Sequence, residues 1–259
     1  MTTTKIQPMS RQETLDLIQN LDPHYASILR DYNATIEKIV TLPVPLSKLC
    51  ALGSAVALRA PGMVREFMLA AHEAGAPVEQ IAEVVFLTTS YAGFAAMSEG
   101  LQTFVDLFGD KPFKGCDLEN FPCGEEIDGF DGPALQEGIE MYGPVRARTN
   151  VMMFRSVGGT EFARALELYA YAGLFRRRVL PVVEREIITL ALMSCIERPG
   201  PFVWHLKAAL RLGAKPDQIR AGILAQSVVS GVLTAFRAIA MANPVFDDWR
   251  AHPSSDAGF

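Results

Sequence analysis

The chain has 259 residues, 49% of them hydrophobic and 20% charged, enough for one large or two ordinary domains and wrong for a disordered chain. Its formal net charge is −5, which argues against a general nucleic-acid surface, because phosphate binding needs clustered basic charge. The nearest approach to a basic run, Arg176-Arg177-Arg178, reads as a solvated helix end or a local salt-bridge patch.

The N-terminal stretch Met1-Thr2-Thr3-Thr4-Lys5 lacks an apolar signal core, and no apolar run approaches the roughly 18 residues that span a bilayer. No membrane partner is expected, and the expected location is the cytoplasm. From there the apolar residues recur at three- and four-residue spacing, the helical period, and strand signals are nearly absent. The pattern predicts an all-α fold with helices over 10–20, 23–39, 46–58, 63–75, 78–91 and 93–107. A second series is predicted over 133–142, 144–156, 160–175, 183–196, 201–213, 216–229 and 231–242. Glu79 and Asp217 fall in first turns, where carboxylates favour the positive helix end, and Gly75 and Gly213 fall where a helix would stop. The intervening segment 109–132 is rich in glycine, holds two prolines and two cysteines, and reads as a linker. The expected division is therefore a first module over 1–108, the linker 109–132, and a second module over 133–259.

The two series are related. Arg59–Ile81 laid over Glu197–Ile219 gives eight identities in 23 positions without a gap, including Pro61/Pro199, Gly62/Gly200 and Gly75/Gly213. Gly93/Gly231 continues the register. Each copy reads helix, Pro-Gly turn, helix, Gly-Ala turn, helix and a further helix, so the chain is expected to be a tandem repeat folded as a pseudo-dimer.

Four cysteines and four histidines limit the chemistry. Cys50 and Cys195 sit in apolar helical stretches, as small buried hydrophobes do. Cys116 and Cys123 flank a loop and are expected to be free thiols in a reducing compartment. None of the four forms a C-x-x-C, and a metal site would need more ligands. His24 opens an N-terminal helix, His72 is expected on a partly exposed helix side, and His252 lies in a Pro/Ser-containing tail. His205 differs. It follows the Pro199-Gly200 turn, and Glu186 lies on the preceding helix. Two helices joined by a short turn run antiparallel, so that carboxylate can meet that imidazole. A buried Glu–His pair relays a proton near neutral pH; the same spacing also fits a satisfied core histidine. In the first copy Lys48 replaces Glu186 and Phe67 replaces His205, so only the second copy holds the pair.

The stretch from about Gly138 to Phe246 resembles the carboxymuconolactone decarboxylase family of the alkylhydroperoxidase-like superfamily. The residues that carry the resemblance are Tyr171-Ala172-Gly173-Leu174-Phe175, Arg185-Glu186-Ile187-Ile188-Thr189-Leu190-Ala191-Leu192-Met193 and His205-Leu206-Lys207-Ala208-Ala209-Leu210. Gly213-Ala214-Lys215-Pro216-Asp217-Gln218-Ile219-Arg220 and Ser230-Gly231-Val232 complete it. Residues 13–108 look like a more divergent copy, with Tyr91-Ala92-Gly93-Phe94 near the family's helix-start pattern.

The resemblance implies antiparallel helices that form a homo-oligomer, here a dimer or trimer of tandem chains, with no cofactor and no metal. In the superfamily's peroxidase branch a glutamate, a C-x-x-C and a histidine act together. Glu186 and His205 match two of these, but Arg198 and Pro201 stand at the cysteine positions, so no thiol remains to attack a peroxide. The decarboxylase branch needs no cysteine. It implies a small carboxylated substrate, a lactone or ring-cleavage product of aromatic catabolism, whose enolate is reprotonated after CO2 leaves. In that reading His205 and Glu186 are catalytic, Arg198 binds a carboxylate through its bidentate fork, and Trp204 and Phe202 exclude water. A related isomerase or hydrolase, or a non-catalytic binding protein on the same fold, are the alternatives. A part for His72 in a neighbouring pocket stays open.

Overall fold

The structure is a computed structural model that describes residues 8–111 and 133–252. Cys116, Cys123 and nearly all of the expected linker lie outside the described residues. The fold is all-α, and no strand occurs among the described residues. The first series comprises α1 (Arg11–Leu21), α2 (Pro23–Ile39), α3 (Val44–Ala57), α4 (Pro61–Glu73), α5 (Val78–Ala92) and α6 (Phe94–Phe108). The second comprises α7 (Pro133–Tyr142), α8 (Pro144–Glu167), a π-helical segment Leu168–Phe175, α9 (Val182–Cys195), α10 (Pro199–Arg211), α11 (Pro216–Ala225), the short α12 (Ser227–Ser230) and α13 (Val232–Ala251). Among the described residues no helix is long and apolar enough to cross a membrane.

Local chemistry explains the starts and stops. Ser10 caps α1 and closes a capping box with Glu13, which satisfies two otherwise unpaired donors. Asp22 caps α2 through the Tyr25 N–H, and Pro sits in the first turn of α2, α3, α4, α8, α10 and α11, where its missing N–H costs nothing.

The turns recur 138 residues apart. Helices α3 and α4 start at Val44 and Pro61, and α9 and α10 start at Val182 and Pro199. Arg59 and Glu197, the residues before the Pro-Gly turns, both adopt left-handed backbone at φ 55° and 59°, a conformation that disfavours a side chain. Gly75 and Gly213, and Gly93 and Gly231, likewise share positive φ.

Helices α3 and α9 lie side by side at the centre. Leu49, Leu52, Ile187, Ile188, Leu190, Phe202 and Phe246 belong to one continuous buried cluster that runs across both series. Helix α11 approaches α9 closely at Gly222, where a Cβ would come within 2.5 Å of Ile187 Cγ2. Three salt bridges tie in the Arg176-Arg177-Arg178 run: Arg177 to Glu83 at 2.8 Å, and Arg178 to Glu137 and Glu140 at 3.0 Å each.

Three expectations need correction. The last helix does not end before Pro244 but runs through it to Ala251. A proline costs a helical hydrogen bond, yet Phe246 beyond it is fully buried, and that packing outweighs the local loss. The helix predicted over 160–175 is the C-terminal part of α8, resumed after non-helical Gly158 and Gly159, followed by the π-helical segment. The helix predicted over 216–229 is interrupted at Gln226. His252 caps α13 with its Nδ1 3.2 Å from Asp248, and it is exposed.

Phe246 is buried to 0% exposure with the Arg220 guanidinium 4.6 Å from its ring centroid. Phe246→Ala is expected to cost about 3–5 kcal/mol of stability, measured by denaturant unfolding. A loss below about 1 kcal/mol would show that the end of α13 is not part of the cooperative core.

Candidate active site

Glu186 sits in the second turn of α9 and His205 in the second turn of α10, and the antiparallel pairing of these helices brings them together. Glu186 Oε2 lies 2.7 Å from His205 Nδ1, with the two residues 1% and 6% exposed. A carboxylate accepts and cannot donate, so this bond fixes the imidazole proton on Nδ1 and turns Nε2 the other way. Glu186 Oε1 is buried without a hydrogen-bond partner among the described residues.

Nε2 faces a cavity of about 450 Å³. Two phenols converge on it: Tyr91 Oη at 3.2 Å and Tyr142 Oη at 3.4 Å. Both rings meet the imidazole edge-on, at 5.4 and 5.7 Å between centroids. Burial pushes both phenols well above their usual range, and the nearby Glu186 carboxylate pushes the same way. They therefore stay protonated at neutral pH. Tyr171 is raised by burial as well, and its hydroxyl accepts from Asn150 Nδ2 at 3.4 Å.

The cavity wall draws on several elements. Tyr169, Ala170, Tyr171 and Phe175 come from the π-helical segment; such segments are frequent at functional sites. Arg185, next to Glu186, is buried and holds the end of that segment to α9 by donating from Nη1 to the Phe175 carbonyl at 2.6 Å and from Nη2 to the Leu180 carbonyl at 3.3 Å. Tyr91 comes from α5, in the first series. That helix is fastened to the second series by the Glu83–Arg177 pair, by Gln80 Nε2 donating to the Val179 carbonyl at 3.3 Å, and by Ser90 Oγ to Tyr169 Oη at 3.3 Å.

The structure sorts the sequence-predicted residues as follows. His205, Arg198 and Trp204 line the cavity, as does Pro201, and Glu186 backs His205 from behind. Arg198 is exposed, so it lies at the cavity's solvent side. Trp204 is half-buried with the Arg146 guanidinium 3.6 Å from its ring centroid, a cation–π contact that fixes the ring. Phe202 is not part of the site. It is fully buried in the main core, because two residues of helical turn, about 200°, send it to the opposite side of α10 from Trp204. His72 does not reach the cavity either; it is exposed and packs edge-on against Phe108 at 5.4 Å. The residues not assigned from sequence are Tyr91, Tyr142, Asn150 and Arg185. Tyr91 and Arg185 stand inside the conspicuous motifs, whereas Tyr142 carries no signal beyond its place before Gly143-Pro144.

The first series has a counterpart to this site. Lys48 and Phe67 line a space of only about 20 Å³. Phe67 fills it, and Lys48 Nζ is paired with Glu37 at 3.0 Å.

Residues 160–244 match the carboxymuconolactone decarboxylase family. That span holds Glu186, Arg198, Trp204 and His205. The chain is also similar to a 4-carboxymuconolactone decarboxylase from Acinetobacter baylyi (strain ATCC 33305 / BD413 / ADP1), 27% identical over 88 residues. The match covers 34% of this chain and 66% of that protein, so it spans slightly less than two thirds of the curated relative.

No thiol lines the cavity among the described residues. Cys195 is pushed up to about 12 by burial, and Cys50 is raised still further for the same reason. A thiol held protonated is a poor nucleophile. In a Cys116→Ser/Cys123→Ser background, a disulfide reagent should therefore leave the native protein unlabelled and react with both remaining thiols only after unfolding. Rapid labelling of the native protein would contradict this burial.

Proposed function

We propose that the chain is a cofactor-independent lyase acting on a carboxylated lactone or a related ring-cleavage product of aromatic compounds. The observation that carries the reading is the buried 2.7 Å Glu186–His205 bond that aims Nε2 into a largely aromatic cavity. The family match over residues 160–244 and the similarity to a 4-carboxymuconolactone decarboxylase support it.

Arg198 at the cavity's solvent side takes a carboxylate that the product keeps. The leaving carboxylate faces the apolar aromatic wall, where a localised charge is poorly solvated. The bond between that carboxylate and the ring breaks, its electron pair enters the conjugated carbonyl as an enolate, and CO2 departs. A proton carried on Nε2 of His205 goes to carbon, and Glu186 balances the imidazolium charge while it exists. Solvent returns the proton. The net change converts one carboxylate and one proton into CO2 and a C–H bond.

We also read the two series as a tandem pair, with the first module a built-in partner that has lost its own pair at Lys48 and Phe67. The shared 138-residue spacing of the turns, their common backbone angles and the filled space at Phe67 support this.

Incubation with 4-carboxymuconolactone should release CO2. His205→Asn and Glu186→Gln should each lower kcat by about 10²–10⁴-fold with the helical signal and Tm nearly unchanged. Unaltered rates in both variants would remove the assignment, and so would the absence of CO2 release by the intact protein.

A further inference from the structure

The two phenols at His205 are not explained by the proton transfer alone. With Nδ1–H given to Glu186, the neutral imidazole has a single lone pair, at Nε2. Tyr91 and Tyr142 both point their hydroxyls at it, at 3.2 and 3.4 Å. One donor satisfies that lone pair, which leaves a second phenol hydrogen without a use in the unliganded site. A buried donor is costly to leave unpaired, and the two phenols converge on one point of the cavity wall.

The surroundings indicate what would pair with them. The cavity is about 450 Å³, roughly three times the 150 Å³ space that accepts a benzene ring. Its wall is largely aromatic, with Tyr171, Phe175, Phe154 and Trp204 among the lining residues, which suits a flat ring. Among the described lining residues Arg198 is the one formal charge other than the imidazole when protonated. The inner end of the site therefore offers neutral O–H donors rather than a second cation. Such donors bind an oxygen whose charge is spread into a conjugated ring, and beside buried, apolar walls they are worth more than in water.

We propose that Tyr91 and Tyr142 form an oxyanion site that takes the ring-conjugated oxygen of the substrate, so that both are catalytic residues. The assignment rests on the enolate reading above and extends it to a ligand class: planar, ring-conjugated oxyanions. In the free protein the phenols donate toward Nε2. With the enolate bound they donate to its oxygen, and Nε2, no longer engaged as their acceptor, carries the proton destined for carbon. Because Tyr91 belongs to α5, the first module supplies a group that touches the substrate.

The test uses binding alone. 4-Nitrophenolate is a planar ring oxyanion, and nitrobenzene is its neutral counterpart of nearly the same shape. Equilibrium titration of the intact protein should show the phenolate bound at least about tenfold tighter than nitrobenzene. Tyr91→Phe and Tyr142→Phe should each weaken phenolate binding about tenfold or more, the size expected for one hydrogen bond to a charged group, with nitrobenzene affinity changed less than about twofold. Equal affinity for the two probes, no phenolate binding to the wild type, or phenolate affinity that survives both substitutions would overturn the proposal. The readout is separable from the lyase reading. Phenolate preference without CO2 release from any carboxylated lactone retains the oxyanion site and defeats the decarboxylase, and CO2 release without phenolate preference does the reverse.

Discussion

A carboxylate and an imidazole taken out of water are tolerable only when they satisfy one another, and the Glu186–His205 hydrogen bond is that compensation here. Both groups lie within the packed interior of α9 and α10, where an isolated charge would cost several kcal/mol. The bond also sets the chemistry, since a ring whose Nδ1 is held by an acceptor has Nε2 free for the cavity. Arg185, one residue away, secures the π-helical wall to the same helix. The element that carries the carboxylate thus also positions a wall of the cavity.

The two helix series share turn spacing and backbone angles but not a site. Around Phe67 the space is filled and Lys48 turns to Glu37 at the surface, while around His205 the equivalent space is open. Tyr91, from α5 of the first series, stands against His205 and forms part of the wall of that open space. The Glu83–Arg177 pair is the anchor for that wall: burial raises the Glu83 carboxyl while the neighbouring guanidinium opposes the rise.

Most of the helical layout was legible because apolar spacing, first-turn prolines and Gly-containing turns all pointed to the same boundaries. The Glu186–His205 contact was legible for a related reason: a short turn fixes the pairing of two helices, and a helical period fixes which side faces inward. Legibility failed where tertiary packing decides. Pro244 looks like a terminus, but Phe246 holds the helix beyond it. Phe202 looks like a site aromatic by proximity to His205, but its angular position on α10 sends it to the core. Tyr91 and Tyr142 are 114 and 63 residues from His205 in sequence, and no local pattern links residues that meet only after α5, α7 and α10 have packed. His72, conspicuous as one of four histidines, lies on an exposed face.

The chemistry at this site turns on which nitrogen of His205 carries the fixed proton. Imidazole ¹⁵N–¹H correlation spectra report this directly, with His205→Asn assigning the signal and the exposed His24 and His72 as internal references for unconstrained rings. His205 is expected to keep its proton on Nδ1 in the neutral ring, and Glu186→Gln is expected to disturb this preference. A neutral His205 protonated on Nε2, unchanged by that substitution, would contradict it.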